Sequence, residues 1–96
     1  MILEAAILTV KPGKEREFQC AFAKASPILA SSKGYLSHEL HRCRESKGKY
    51  MLLVRWRSVE DHILGFRKSA AYQEWKRLLH HFYEPFPTVE HFTQVY

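Results

Sequence analysis

Two stretches of the chain are apolar on both alternations. Residues 2–10, ILEAAILTV, carry only Glu4 and Thr9 as exceptions, and residues 49–57, KYMLLVRWR, read the same way through their centre. A strand of this kind is covered on both faces. Lys11-Pro12-Gly13 ends the first strand, because proline lacks a ladder donor and glycine permits a turn. The period then changes. Phe18, Ala21, Phe22, Ala25, Ile28 and Leu29 recur at three- and four-residue spacing, which predicts a helix over 14–31 with one apolar face. Pro27 lies inside that pattern and predicts a kink or break near Ala25-Ser26. Gly34 suits the left-handed position after the helix. A second strand, 35–43, follows, with Leu36, His38 and Leu40 on one face and Tyr35, Ser37, Glu39 and His41 on the other. Glu45-Ser-Lys-Gly48 turns it into the third.

Ser58 then reads as a helix N-cap, with Asp61 three residues on completing a capping-box pattern. Val59, Ile63 and Phe66 are the apolar positions of that helix. Ser69 is a second cap, and Tyr72, Trp75, Leu78, Leu79 and Phe82 form a stripe to about Tyr83. Pro85-Phe-Pro87 stops the helix, and 88–95 forms the last strand. The order is βαββαβ in a single domain, 1–96. It predicts an α+β fold, the ferredoxin-like sandwich, with helices on one face of an antiparallel sheet. Strands one and three lie in the middle of that topology, and they are the two doubly apolar ones. Helices cover only one face, so the simplest cover for the other is a second copy about a two-fold axis. A homodimer, forming a dimeric α+β barrel, is the expectation.

Composition changes this picture little. A formal charge of +5 is spread along all 96 residues without a basic block, and no RNA motif or helix-turn-helix pattern accompanies it. A solvated basic surface is expected, not a nucleic-acid interface. No apolar run approaches the roughly 20 residues of a membrane span. The apolar N-terminus has no basic stretch ahead of it, so the expected location is the cytoplasm. Cys20 and Cys43 have no zinc-ribbon spacing and are expected as free thiols, Cys20 exposed opposite the apolar helix face. Six histidines raise the question of a metal. His38 and His41 point to opposite faces of a strand, and His80 and His81 diverge by roughly 100° on a helix. No metal site is expected.

Val10-Lys-Pro-Gly13, Gly34-Tyr35, Trp56-x-Ser58-x-Glu60, and Ser69 followed by Tyr72 and Trp75 together resemble the antibiotic biosynthesis monooxygenase (ABM) family of small dimeric α+β barrels. The resemblance covers nearly the whole chain. It implies oxidation of aromatic or quinol compounds by dioxygen without flavin, metal or other cofactor. A related branch degrades haem with an Asn, a Trp and a His. Those positions are Ala5, Phe66 and Lys76 here, which argues against that activity. Another branch oxidises polycyclic phenols with a Trp at the end of strand three, which Trp56 matches.

On this reading Trp56 positions an aromatic ring, or else plugs the core. His38 takes a phenolic proton, or else is a hydrogen-bonded core histidine. Whether His38 or His41 faces inward depends on hairpin register. Arg67 or Arg55 steadies developing negative charge, although Arg55 could instead pair across the dimer with Glu4, Glu39 or Glu90. His62, Tyr72, Trp75, His80 and Tyr83 are further candidates for contact with a small aromatic ligand. The competing expectation is a non-catalytic ligand-binding or structural dimer. A core filled solidly by Trp56, Phe66 and Trp75 would favour it.

Overall fold

The computed structural model describes all of residues 1–96. Four strands, β1 (Ile2–Thr9), β2 (Tyr35–Arg42), β3 (Lys49–Trp56) and β4 (Val89–Phe92), form one antiparallel sheet in the order β2-β3-β1-β4. Two α-helices, α1 (Glu15–Ala30) and α2 (Ala70–Leu79), cover one face. This is the ferredoxin-like arrangement, and the doubly apolar strands β1 and β3 are indeed its centre. Ile2 stands opposite Trp56, Glu4 opposite Val54, Ala6 opposite Leu52 and Leu8 opposite Tyr50. These residues point toward the helices, and all but the half-buried Ile2 are buried. Phe18, Phe22, Ala25 and Leu29 of α1 and Trp75 and Leu79 of α2 close the core over them. The Phe18 ring sits 4.9 Å from that of Tyr50, and Phe22 meets Trp75 edge-on at 5.7 Å.

The opposite face has no cover within the chain. Leu3, Ala5 and Ile7 of β1 lie beside Arg55, Leu53 and Met51 of β3 there, with Ile7 44% and Met51 39% exposed.

Four local expectations change. The helix runs through Pro27 without a break. Proline removes a single hydrogen bond there, close to the helix end, while Ala25 and Leu29 on either side are anchored in the core. The segment after Ser58 is a cap followed by a π-helical turn (Asp61–Gly65) and a 3₁₀ turn (Phe66–Lys68), not a regular helix. The cap itself forms: the Asp61 N–H donates to Ser58 Oγ at 3.2 Å. The wider turn brings His62 inward beside Phe66 and leaves Ile63 half-buried and Leu64 exposed. β2 carries a bulge between Tyr35 and Ser37, which moves Leu36 out of register with His38 and Leu40 and turns Tyr35 toward the helices. β4 stops at Phe92 because Phe92 already pairs with Leu3, and only Ile2 of β1 remains beyond it.

Gly34 holds the β2 entry against the Ser58 cap. Its φ is +81°, and a Cβ there would overlap the Asp61 carboxylate, approaching Asp61 Cβ to 2.6 Å. Gly13 has the same φ of +81° but open space around it. Gly34→Ala therefore costs roughly 2–3 kcal/mol and Gly13→Ala about 1 kcal/mol in chemical denaturation. Equal losses at the two sites would mean that the Asp61 contact carries no weight.

Candidate functional site

Over β1, β3 and β4, beneath α2, the core opens into a cavity of about 380 Å³. Ala6, Leu8, Leu29, Leu52, Val54, Phe66 and Trp75 give it apolar walls, to which Val89, Phe86 and Pro87 add. Its polar atoms come from Glu4, His62, Arg67, Tyr72, His80 and Tyr83. Trp56, Phe66 and Trp75 do pack together, the Phe66 ring 5.9 Å from each of the other two, but the cavity opens beside them next to polar groups, where the structural-dimer expectation required no void.

Glu4 is the least ordinary of these groups. It is a carboxyl on a central strand, 6% exposed, aimed at the helices by the alternation that buries Ala6 and Leu8. Trp56 Nε1–H donates to Glu4 Oε1 at 2.8 Å. His62 Nε2 lies 3.3 Å from the same oxygen, and His62 Nδ1 is 2.9 Å from His91 Nε2. His91 stands opposite Glu4 in the β1–β4 register, so the pairing itself assembles the row. The indole of Trp56 stacks on His62 with ring centres 5.3 Å apart.

Burial pushes the Glu4 carboxyl above its usual range, against the opposing pull of the Trp56 hydrogen bond and the Arg67 guanidinium. Burial, and then the positive field of Arg67 and of His91, hold His62 down at about 3. Glu4, 3.3 Å away, pulls the other way, but desolvation is the larger effect and the net shift of His62 is downward. His91 is shifted down by burial and Arg67, and His80 by burial and Lys76. Burial raises the hydroxyls of Tyr72 and Tyr83. At neutral pH the cavity therefore presents uncharged imidazoles and phenols around Arg67 and Glu4.

Ser69 positions Tyr72: its hydroxyl accepts the Tyr72 N–H at 3.1 Å and donates to the Phe66 carbonyl at 2.6 Å. The structure thus brings together Arg67, His62, Tyr72, Trp75, His80 and Tyr83 among the residues singled out in the sequence. It does not bring in three others. His38 is on β2, which lies beyond β3 and contributes nothing to the cavity. The hairpin register sets it opposite Val54, on the helix side, and puts His41 on the other face. Its ring nitrogens are bound to Ser26 Oγ at 2.9 Å and Tyr35 OH at 2.5 Å. Trp56 is completely buried behind Glu4 and does not line the cavity. Arg55 projects from the opposite sheet face and pairs within the chain with Glu39 at 3.0 Å. Glu4 and His91 were not singled out. The available signal for Glu4 was its charge amid a doubly apolar strand. His91 became visible only through the β1–β4 register.

The family model for antibiotic biosynthesis monooxygenases matches residues 1–78. The chain belongs to the antibiotic biosynthesis monooxygenase family. The uncharacterized protein YczJ of Bacillus subtilis is 57% identical over 99% of this chain and 100% of its own. The crystal structure of a candidate family member from Bordetella bronchiseptica superposes with a TM-score of 0.95 at 36% identity, covering 99% of this chain and 97% of that one. SnoaB, a cofactor-independent oxygenase from Streptomyces nogalater, has the same fold, with a TM-score of 0.80 at 22% identity over 99% and 93% of the two chains. No helix of this ABM-family chain is long and apolar enough to cross a membrane.

The depressed His62 makes a signed prediction. An unfolded histidine binds a proton below pH 6.5, whereas the folded His62 refuses it until about 3. Folding stability is therefore lost as pH falls through that window, by at most about 1.4 kcal/mol per pH unit. Glu4 acts with the opposite sign and is common to both proteins in a comparison with His62→Gln. Thermal melts between pH 7 and 4 should show a shallower acid loss in His62→Gln. Parallel curves would mean that His62 is protonated in the folded chain.

Proposed function

We propose that this chain is a homodimeric, cofactor-independent monooxygenase acting on a small quinol-type aromatic compound within the cavity. The observation that carries the reading is the placing of Glu4 and Arg67 on one largely apolar chamber. A carboxylate withdrawn from water holds a proton more tightly, which makes it the stronger base. Glu4 takes the hydroxyl proton of the quinol, and Arg67 holds the oxyanion that results. Phe66 and Trp75, packed edge-on against each other, form an apolar wall against the ring. Trp56 is a positioning residue, because its indole N–H fixes the Glu4 carboxyl without reaching the cavity. His38, satisfied by Ser26 and Tyr35, takes no part.

The electron-rich anion gives its electrons to dioxygen. Quinol plus dioxygen becomes hydroxyquinone plus water: one oxygen atom enters the ring, the other leaves as water, and the quinol supplies all four electrons. No separate reductant is required. Family membership and the cofactor-independent oxygenase activity of the structurally similar SnoaB support this assignment. Two free cysteines accord with a reducing cytoplasm.

Oxygen-electrode traces with 1,4-dihydroxynaphthalene test the reaction. Uptake should be one dioxygen per quinol, with kcat lowered roughly 10²–10⁴-fold in Glu4→Gln and roughly 10²–10³-fold in Arg67→Ala. Uptake no faster than in buffer would overturn the oxygenase reading and leave a ligand-binding dimer.

The dimer places the open faces of two sheets together. Leu3, Ala5, Ile7, Met51 and Leu53 form one continuous apolar patch there, of the kind that marks an interface in a small domain. Native mass spectrometry should return twice the 11.3 kDa chain mass, and Ile7→Lys should shift the population to monomer. A monomeric wild-type chain at micromolar concentration would exclude the face-to-face dimer.

A further inference from the structure

We propose that His80 recognises a second oxygen of the substrate, its Nδ1 accepting an O–H from a dihydroxylated aromatic ring whose other oxygen lies against Glu4 and Arg67. The inference deepens the cavity reading above and rests on it. His80 Nδ1 is fully buried and has no hydrogen-bond partner within the protein. Such an atom is costly to bury unpaired, so a polar group that meets it gains affinity. The main chain that carries the ring is fixed at the end of α2, where the His80 backbone N–H donates to the Lys76 carbonyl. Phe86 packs edge-on against it at 5.1 Å and Tyr72 at 5.7 Å, with Tyr83 at 5.8 Å.

Those neighbours are aromatic, and the imidazole is the polar break in an apolar wall. Burial and the nearby Lys76 both disfavour its cation, which keeps a lone pair available for a donor. Tyr72 borders both His80 and the field of Arg67, so the two polar ends flank one tyrosine. A flat ring with oxygens toward both ends satisfies this arrangement, and a ring with a single oxygen leaves one end unmet. The family match ends at residue 78, so His80, Tyr83, Phe86, Pro87 and Val89 come from the part of the chain beyond it. Selectivity for the second oxygen is thereby placed on a different segment from the proton-accepting wall.

The test is calorimetric binding under argon, which prevents turnover, of 1,4-dihydroxynaphthalene and of its monomethyl ether, 4-methoxy-1-naphthol. The ether keeps one O–H and the ring but can no longer donate from the second oxygen. Wild type should bind the dihydroxy probe roughly tenfold more tightly than the ether. His80→Phe should bring the two affinities together by weakening the dihydroxy probe alone, its unchanged affinity for the ether showing an intact cavity. His80→Asn, which offers an acceptor near the position of Nδ1, should restore part of the preference. Equal affinities in wild type, or a preference that survives in His80→Phe, would overturn the role of His80 while leaving the cavity reading in place. Failure of wild type to bind either probe would overturn the cavity reading and the His80 assignment together.

Discussion

A carboxyl buried in the middle of a sheet is the constraint around which the functional half of this molecule is built. Removing Glu4 from water costs several kcal/mol unless partners replace the lost hydration. The indole N–H of Trp56 supplies one, and His62 comes up to the same oxygen. The β1–β3 register makes this possible, because it places Ile2 opposite Trp56 and Glu4 two residues further along the same face. The β1–β4 register adds His91 from the other side. A one-residue slip of β1 against β3 would send the carboxyl to the opposite face, and a slip of β4 against β1 would do the same to His91.

The π-helical turn after Ser58 is the second half of that design. A regular helix from the same cap would have presented Val59, Ile63 and Phe66 as its apolar stripe. The wider turn rotates His62 into the core, where it stacks on Trp56 and touches both Glu4 and His91. Turns of this kind recur at functional sites because they redirect one side chain without ending the helical path. The 3₁₀ turn and the Ser69 cap then restart the helix in a direction that sets Arg67, Tyr72 and Trp75 around the cavity.

The two sheet faces divide the labour. The helix side contains the cavity and every polar group attributed a chemical role. The other side carries Ile7, Met51 and Leu53 with the Arg55–Glu39 pair at the β2–β3 border. Because the strands alternate, the same eight residues of β1 serve both purposes, Glu4, Ala6 and Leu8 inward and Leu3, Ala5 and Ile7 outward. A substitution on one face can therefore alter the other only through the backbone.

The sequence by itself determined the element order, the central placing of β1 and β3, the caps at Ser58 and Ser69, the left-handed Gly34 and the family. Those features are local in origin: periodicity, cap chemistry and backbone freedom act over a few residues. It also singled out Arg67, His62, Tyr72, Trp75, His80 and Tyr83, which line the cavity, alongside His38, Trp56 and Arg55, which do not. The tertiary structure alone decided what depends on register and on departures from ideal helix geometry. It set His38 on the edge strand, satisfied and outside the cavity. It put Trp56 behind Glu4, paired Arg55 with Glu39, and joined Glu4 to His91 across 86 intervening positions in the sequence. A strand slip or an extra residue in one turn leaves the hydrophobic pattern almost unchanged, yet it reassigns every side chain to a new neighbour.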